Sequence, residues 1–415
     1  MKLLGWDTVS ALSVGLANQA LEAGQETLVS AFAHRGDGLV MEGRFGPWQI
    51  VSGGALGLLH MDLHIREGVA RGLPGMARRK IDLAGIVLRI EVPLALVPSP
   101  DGVGPTELRF WAQDDQTAKR DLIRPLGLTD PKGRLDDIAS EMLQLALCEC
   151  LSANMENISY VFAQVSPHQA KAEDWAATPH LAWACLGTGD GRQYLAILGS
   201  MAPPRPDMAP DKIDPEVISG QGTAYIALSR QLYVERVLAP WLTANFRPKA
   251  AFRLDGGAVR LARPVHLPPV PSKIGDLHPV IDDMRFTVEP GGLGLRLQAH
   301  ADAMGATVRV EMALHMALYL DKATGKVGLR PDPHPKVSHR VEGHGIFGWL
   351  VELIVNIVIA VTGTSIADVA KGIAAGMQNL NTPGASAVRW HGVRNFHITE
   401  ASCDQNLWFA DTRPA

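Results

Sequence analysis

The sequence is short of several things, and each shortage excludes a class of protein. Only four of its 415 residues are cysteine. Cys148, Cys150, Cys185 and Cys403 make no C-x-x-C pair and no zinc-ribbon spacing, so neither a disulfide scaffold nor a thiolate zinc module fits. Aromatic residues make up 6%, which leaves the apolar content mostly aliphatic. The formal net charge is −4, without the basic excess of a nucleic-acid binder. No Walker loop, G-x-S-x-G elbow or H-E-x-x-H pair occurs, so the motifs of phosphoryl transfer, acyl transfer and zinc hydrolysis are missing. No catalytic residue and no cofactor are expected.

Long apolar runs are scarce too. Asp7 interrupts the chain soon after Lys2, which argues against a classical signal peptide. The expected location is the cytoplasm, or release by another route. Residues 343–367 are the most apolar stretch, with Glu352 as their formal charge. The uncharged part, residues 353–367, is shorter than the roughly 20 residues a spanning helix needs. It reads as a buried helix with a narrow polar stripe, and no transmembrane span is expected. Phe347, Trp349, Leu350 and Ile354 are the positions that would touch a membrane if this helix lay on one peripherally.

What is present is a hydrophobic fraction of 47% against 20% charged residues, enough for a large core. The strongest pattern is alternation. Val308, Val310, Met312, Leu314, Met316, Leu318 and Leu320 share one parity, and Thr307, Arg309, Glu311, His315 and Asp321 share the other. Such a strand reaches roughly 45 Å at about 3.3 Å per residue, well beyond the usual five or six residues. Leu293, Leu295, Leu297, Ala299, Ala301 and Ala303 alternate likewise, and Met304-Gly305 supplies a turn, so one long antiparallel hairpin is predicted. Ile86, Leu88, Ile90, Val92, Leu94 and Leu96 mark a third long strand, with Pro93 pointing to an edge or bulge. Shorter hairpins are predicted at residues 180–201 and after Asp321, and two last strands at 387–391 and 395–400.

Helices are predicted at 14–23, 135–151, 229–246, 348–361 and from Ser365, where Ser365 and Asp368 form a cap. Pro240 should kink the third of these. Residues 201–215 and 264–279 each hold five prolines and read as extended crossings. The chain therefore divides into an N-terminal half, residues 1–200, a proline-rich connection, 201–220, and a C-terminal half, 221–415.

Two motifs invite chemistry. Gly343, Gly345 and Gly348 match G-x-G-x-x-G, but a second strand is missing and Asp368 falls in the first turn of another helix, so dinucleotide binding is not supported. His60, Asp62 and His64 share a strand face and would be the metal ligands if there were a site. The simpler account is a solvated face. Cys148 and Cys150 lie on an apolar helix and read as core.

A set of short motifs in fixed order carries a resemblance. These are Gly5-Trp6-Asp7-Thr8-Val9, Trp48-Gln49-Ile50-Val51-Ser52-Gly53-Gly54, Ile81-Asp82-Leu83-Ala84-Gly85-Ile86 and Arg389-Trp390-His391-Gly392. Over essentially its whole length the chain resembles the forty-seven-kilodalton and OrfX proteins encoded beside clostridial neurotoxins, within the tubular lipid-binding (TULIP) superfamily. The resemblance implies long curved antiparallel sheets wrapped on long helices, an elongated α+β fold, and non-catalytic binding of a lipid or other hydrophobic molecule. It also implies company with a toxin complex.

The alternation requires a long sheet with one apolar face, and twisted strands of this length curl around something. The expected function is binding of a hydrophobic ligand in an apolar groove or tunnel. Leu232, Val237, Leu238 and Trp241 from the kinked helix, with Leu295, Leu297, Val310, Met312 and Leu314 from the hairpin, would line it. The alternatives are a protein-interaction component with a dry packed interior, and an enzyme on the same scaffold that would place His300 or His315 inside a cavity.

Overall fold

The first strand, Thr8–Ser13, organises the centre of the molecule. It lies in a six-stranded sheet with the order His180–Gly187, Gln193–Ser200, Thr8–Ser13, Ala224–Leu228, Leu407–Asp411, Glu400–Cys403. Every pairing is antiparallel. Both faces are buried. On one face Leu12, Leu195 and Ile197 enter an N-terminal core, while Ile226, Leu228 and Phe409 enter a C-terminal core. The opposite face carries Val9, Ala11, Tyr194, Leu198 and Tyr225, covered by Leu3, Trp6, Met208, Ile213 and Ile218. The last three of these come from the proline-rich connection. A strand buried on both sides has no alternation to show, and Ala224–Leu228 is buried at every position.

We describe a computed structural model over residues 3–36, 38–54, 57–74, 80–101, 104–110, 123–166, 177–210, 213, 218, 222–246, 249–272, 275–303, 306–323, 326–342, 387–393, 397–404 and 406–411.

The N-terminal core sits under a nine-stranded sheet. Its main path runs Ala31–Gly36, Leu39–Ile50, Leu58–Arg71, Val87–Val97, Thr106–Phe110, Val161–Val165, Val388–Trp390. Val87–Val97 is the predicted third long strand. Pro93 falls in a gap: the neighbouring strand Arg124–Thr129 pairs as far as Glu91, and Thr106–Phe110 begins pairing at Leu94. The missing N–H of proline is harmless there. Two helices pack against this sheet. In α1 (Val14–Ala23), Ser13 caps the N-terminus through Leu16 N–H, and Asn18 makes two hydrogen bonds to the backbone of Ile50. In α2 (Asp137–Ala153), Asp136 accepts from Ala139 N–H.

The C-terminal core is enclosed by an eight-stranded sheet. Its long hairpin, Gly292–Ala303 with Ala306–Asp321, is in register from Gly292↔Ala317 to Ala303↔Ala306. The outer edge is made twice over: Lys326–Pro331 pairs with one end of the longer strand and Lys336–Glu342 with the other. The inward parity packs on a composite helix formed by α3 (Arg230–Tyr233), a π turn at Val234–Leu238, and α4 (Ala239–Asn245). The kink expected at Pro240 takes this form. Ala239 N–H bonds Val234 O, five residues back, so the helix gains a residue just ahead of the proline instead of breaking there.

Two expectations need correction. Long helices are not present among the described residues. The longest, α2, has 17 residues and reaches about 25 Å at 1.5 Å per residue, about half the reach of the 16-residue strand. The strand predicted at 387–391 is present as Val388–Trp390, whereas the next begins only at Glu400 and runs to Cys403, and a further strand, Leu407–Asp411, follows it. The helices predicted at 348–361 and from Ser365 lie outside the described residues.

One surface node gives a pH prediction. Asp130 accepts hydrogen bonds from the backbone of Lys132, Arg134 and Leu135 and from the Arg134 guanidinium, which also donates to Asp82 O and Ala84 O. Burial alone would raise the Asp130 pKa, but these hydrogen bonds outweigh it and hold the carboxyl below its usual range. A depressed folded-state pKa adds stability above the unfolded value, and that stability is lost as pH falls through the folded one. Asp130→Asn should therefore cost about 1.5–3 kcal/mol at neutral pH. In urea titrations the gap to the parent protein should narrow as pH drops below about 4.

Candidate functional site

The sequence-predicted ligand residues do come together, but in packed core. Leu232, Val237, Leu238, Leu295, Leu297, Val310, Met312 and Leu314 all belong to the C-terminal core, with Trp241 half-buried against it. Leu238 has no accessible surface, and Leu232, Leu295, Leu297 and Val310 have 1% each. Accessible surface includes the walls of internal voids. Values this low leave no room for a water-sized gap beside these side chains, as expected of close-packed interior. Leu297→Ala should cost about 2–5 kcal/mol, measurable by urea unfolding.

Phe347, Trp349, Leu350, Ile354 and the Gly343–Gly345–Gly348 motif lie outside the described residues. No described helix is long and apolar enough to cross a membrane. His60, Asp62 and His64 do not converge on an ion. His60 Nε2 lies 3.1 Å from Glu91 Oε2, and both Asp62 oxygens accept from Arg89 at 2.7 and 2.8 Å. No group of three His, Cys, Asp or Glu side chains among the described residues is arranged for a metal. His300 and His315 face outward beside Asp282 at 2.8 Å and Glu289 at 3.8 Å, not into a cavity. Cys148, Cys150 and Cys403 are buried. Burial pushes the Cys148 and Cys403 thiols up to about 12, the opposite of an activated nucleophile.

The concave feature that the sequence did not announce is a cleft of about 460 Å³. It lies where the central sheet meets the N-terminal sheet. Residues 181–185 form one wall, residues 94–96 the other, and Gly54, Gly57, Leu58 and Pro210 complete it. None of the lining side chains among the described residues is charged. Trp183 closes the deep side by donating its indole N–H to Leu94 O at 3.2 Å. Burial pushes the Cys185 thiol up to about 12.

Each wall has backbone groups without a strand neighbour among the described residues. His180–Gly187 is the outermost strand of the central sheet. Its hairpin is closed by Thr188 N–H bonding Arg192 O at 2.8 Å, which sets the phase of the antiparallel ladder. Counting back in twos from Thr188, residues 186, 184 and 182 bond to Gln193–Ser200. The N–H and C=O groups of Leu181, Trp183 and Cys185 therefore point out of the sheet. On the facing wall Leu94 N–H bonds Gly57 O at 2.9 Å. Leu96, two residues on, presents its backbone to the same side, away from Thr106–Phe110. The sequence contained both strands, but nothing in it told that their edges would face each other.

The motif residues of the resemblance serve as staples. Trp48 donates to Val29 O, and Trp390 donates to Ser10 Oγ at 3.0 Å. Gly392 has φ +78°, and a Cβ there would meet Ala20 at 2.7 Å. A family model described as OrfX-like, proteins OrfX2/OrfX3/P47, matches residues 3–382. The chain belongs to the OrfX-like family. Two solved structures are similar to this OrfX-like chain over nearly their whole length. P47 from Clostridium botulinum A2 has a TM-score of 0.75 at 16% identity, covering 100% of this chain and 98% of that one. P47 of Clostridium botulinum E1 has 0.74 at 16%, covering 99% and 100%. At that identity the likeness shows the fold alone. No curated protein sequence matches this chain.

The phase of the ladder predicts an alternation in amide exchange. The amides of Leu181, Trp183 and Cys185 should exchange with solvent much faster than those of Ala182, Ala184 and Leu186, as read by residue-resolved hydrogen exchange.

Proposed function

We propose that this OrfX-like protein is a non-catalytic binding component of a toxin-type assembly. It holds an extended apolar segment of a protein partner in the cleft between residues 94–96 and 181–185. The observation that carries this reading is a cleft, uncharged among its described lining residues, between the edge strand His180–Gly187 and Leu96, whose facing backbone groups have no strand partner among the described residues. An extended backbone can satisfy such edges by strand addition, while an apolar side chain enters the space between them. The near-complete burial of Leu232, Leu238, Leu295, Leu297 and Val310 in the C-terminal core favours the same choice.

Carriage of a lipid is the second reading, through the tubular lipid-binding ancestry that the motifs imply. The cleft volume falls within the roughly 300–1,000 Å³ of small-molecule sites, and its described lining residues offer no charged partner to a headgroup.

Native mass spectrometry of the purified protein, with organic extraction, separates the two. A bound lipid at near one per chain, not displaced by any peptide, favours the carrier. For a clean mass, eight-residue peptides selected from a random library should bind the cleft. Backbone N-methylation should abolish binding at alternate residues only, as strand pairing requires. Leu96→Glu, which brings a carboxylate into the cleft, should weaken binding at least about tenfold, or about 1.4 kcal/mol. Indifference to both changes would sink the strand-addition reading.

A further inference from the structure

The outer face of the C-terminal sheet carries a row of cations that only the strand register reveals. Arg253 lies opposite Arg260, Arg260 opposite Arg285, and Arg285 opposite Arg296. Arg296 lies opposite Ala313, and Ala313 opposite Lys336. Their neighbours of the other parity, Met284, Phe286, Leu295, Leu297, Met312 and Leu314, are buried in the core. All five cations thus share the solvent side. At about 4.8 Å between strands the row extends roughly 24 Å. It forms on a chain whose net charge is −4.

The row is poorly neutralised from within. Arg260 has Asp283 at 2.7 Å and Asp255 at 3.7 Å. Arg253, Arg285, Arg296 and Lys336 have no carboxylate within 4.0 Å among the described residues. Arg285 also buries its Nε–H without a hydrogen-bond partner. Like charges placed directly opposite destabilise a sheet, and so does a buried donor left unmade. Arg253, Arg285, Arg296 and Lys336 gain no ion pair from folding among the described residues, whereas a bound anion would offset the repulsion along the row.

We propose that this face is a docking surface for an acidic helical segment of a partner protein, read by the cross-strand row Arg253, Arg260, Arg285, Arg296 and Lys336. The row is one residue wide. On one side it is flanked by Asp283, Gln298, Glu311 and Ser338, where Gln298 donates to Glu311 at 3.1 Å. On the other side lie Thr287, Gly294 and His315, with the Glu289 carboxylate over Gly294 accepting the Thr287 hydroxyl at 2.9 Å. A flat anionic membrane would meet the flanking carboxylates together with the cations; a single line of carboxylates would not. A helix with one acidic residue per turn repeats every 5.4 Å, close to the strand spacing. Four of the five cations are arginine, whose planar fork binds a carboxylate through two hydrogen bonds. This surface is separate from the cleft, and its test does not depend on strand addition.

The probe is a synthetic helical peptide with glutamates along one face, compared with a peptide of the same composition whose glutamates are spread around the helix. Fluorescence anisotropy should show tighter binding of the one-faced peptide, weakening as salt rises from about 50 to 200 mM. The double variant Arg253→Ser/Arg296→Ser should lose at least about tenfold in affinity. Its melting temperature should equal or exceed the parent's, because both residues are exposed and mutual repulsion is relieved. Equal binding of the two peptides, or of parent and variant, overturns the proposal. A lower melting temperature in the variant makes the row structural and also overturns it. Tighter row-dependent binding to vesicles with about 30 mol% phosphatidylserine would replace the helix with a membrane.

Discussion

One carboxylate ties the central sheet to the helix inside the C-terminal sheet. Asp7 accepts the Ser229 hydroxyl on one oxygen and Met201 N–H on the other, both at 2.8 Å. Its carbonyl accepts Ser229 N–H, and its own N–H bonds Gly199 O. Ser229 in turn caps the composite helix through Leu232 N–H. The end of the hairpin strand Gln193–Ser200, the first strand and the helix inside the C-terminal sheet are therefore located by one side chain. Trp6, immediately before it, is buried under the central sheet, and Gly5 turns with φ +95° in a space shared with Met208. The short motif Gly5-Trp6-Asp7 is a piece of architecture.

The same holds for the other motifs that tie the chain to the OrfX-like family. Trp48, Trp390 and Asp82 end in hydrogen bonds to backbone or to Ser10, not in a cleft. Gly85 supplies a positive φ of 85°, and its N–H bonds Ile65 O. Motifs of this kind report how the sheets are assembled. They carry no nucleophile, no acid–base pair and no ligand set, which is why the family was legible from them while the function was not.

Binding features have to be sought where the fold leaves something unmade. The C-terminal interior leaves little, since its predicted ligand residues are close-packed. Among the described residues, the edges beside Trp183 and Leu96 leave backbone donors and acceptors without a strand partner, and the outer face beyond the composite helix leaves four cations without a carboxylate. Both features are costs in the free chain. Each is complementary to a different chemistry, an extended apolar segment in one case and a line of carboxylates in the other.

The sequence by itself determined the strands, their lengths and their faces. Alternation is a local property of extended backbone, so the hairpin Gly292–Asp321, the strand Val87–Val97 and the inward parity of Leu295, Leu297, Val310 and Met312 were all readable from it. It also determined that Pro240 would disturb a helix, though not that a π turn would absorb the disturbance. Only the tertiary structure decided which distant strands became neighbours. Ala224–Leu228, buried on both faces, has no alternation and joins the sheet through its register with Thr8–Ser13. Arg253 and Lys336 lie far apart in the chain, and their place in one row depends on five successive registers, any of which would flip its strand's side chains on slipping by one residue. The cleft likewise exists only because two edges from different sheets meet. Registers and meetings of that kind are settled by how whole faces pack, and no local pattern of residues encodes them.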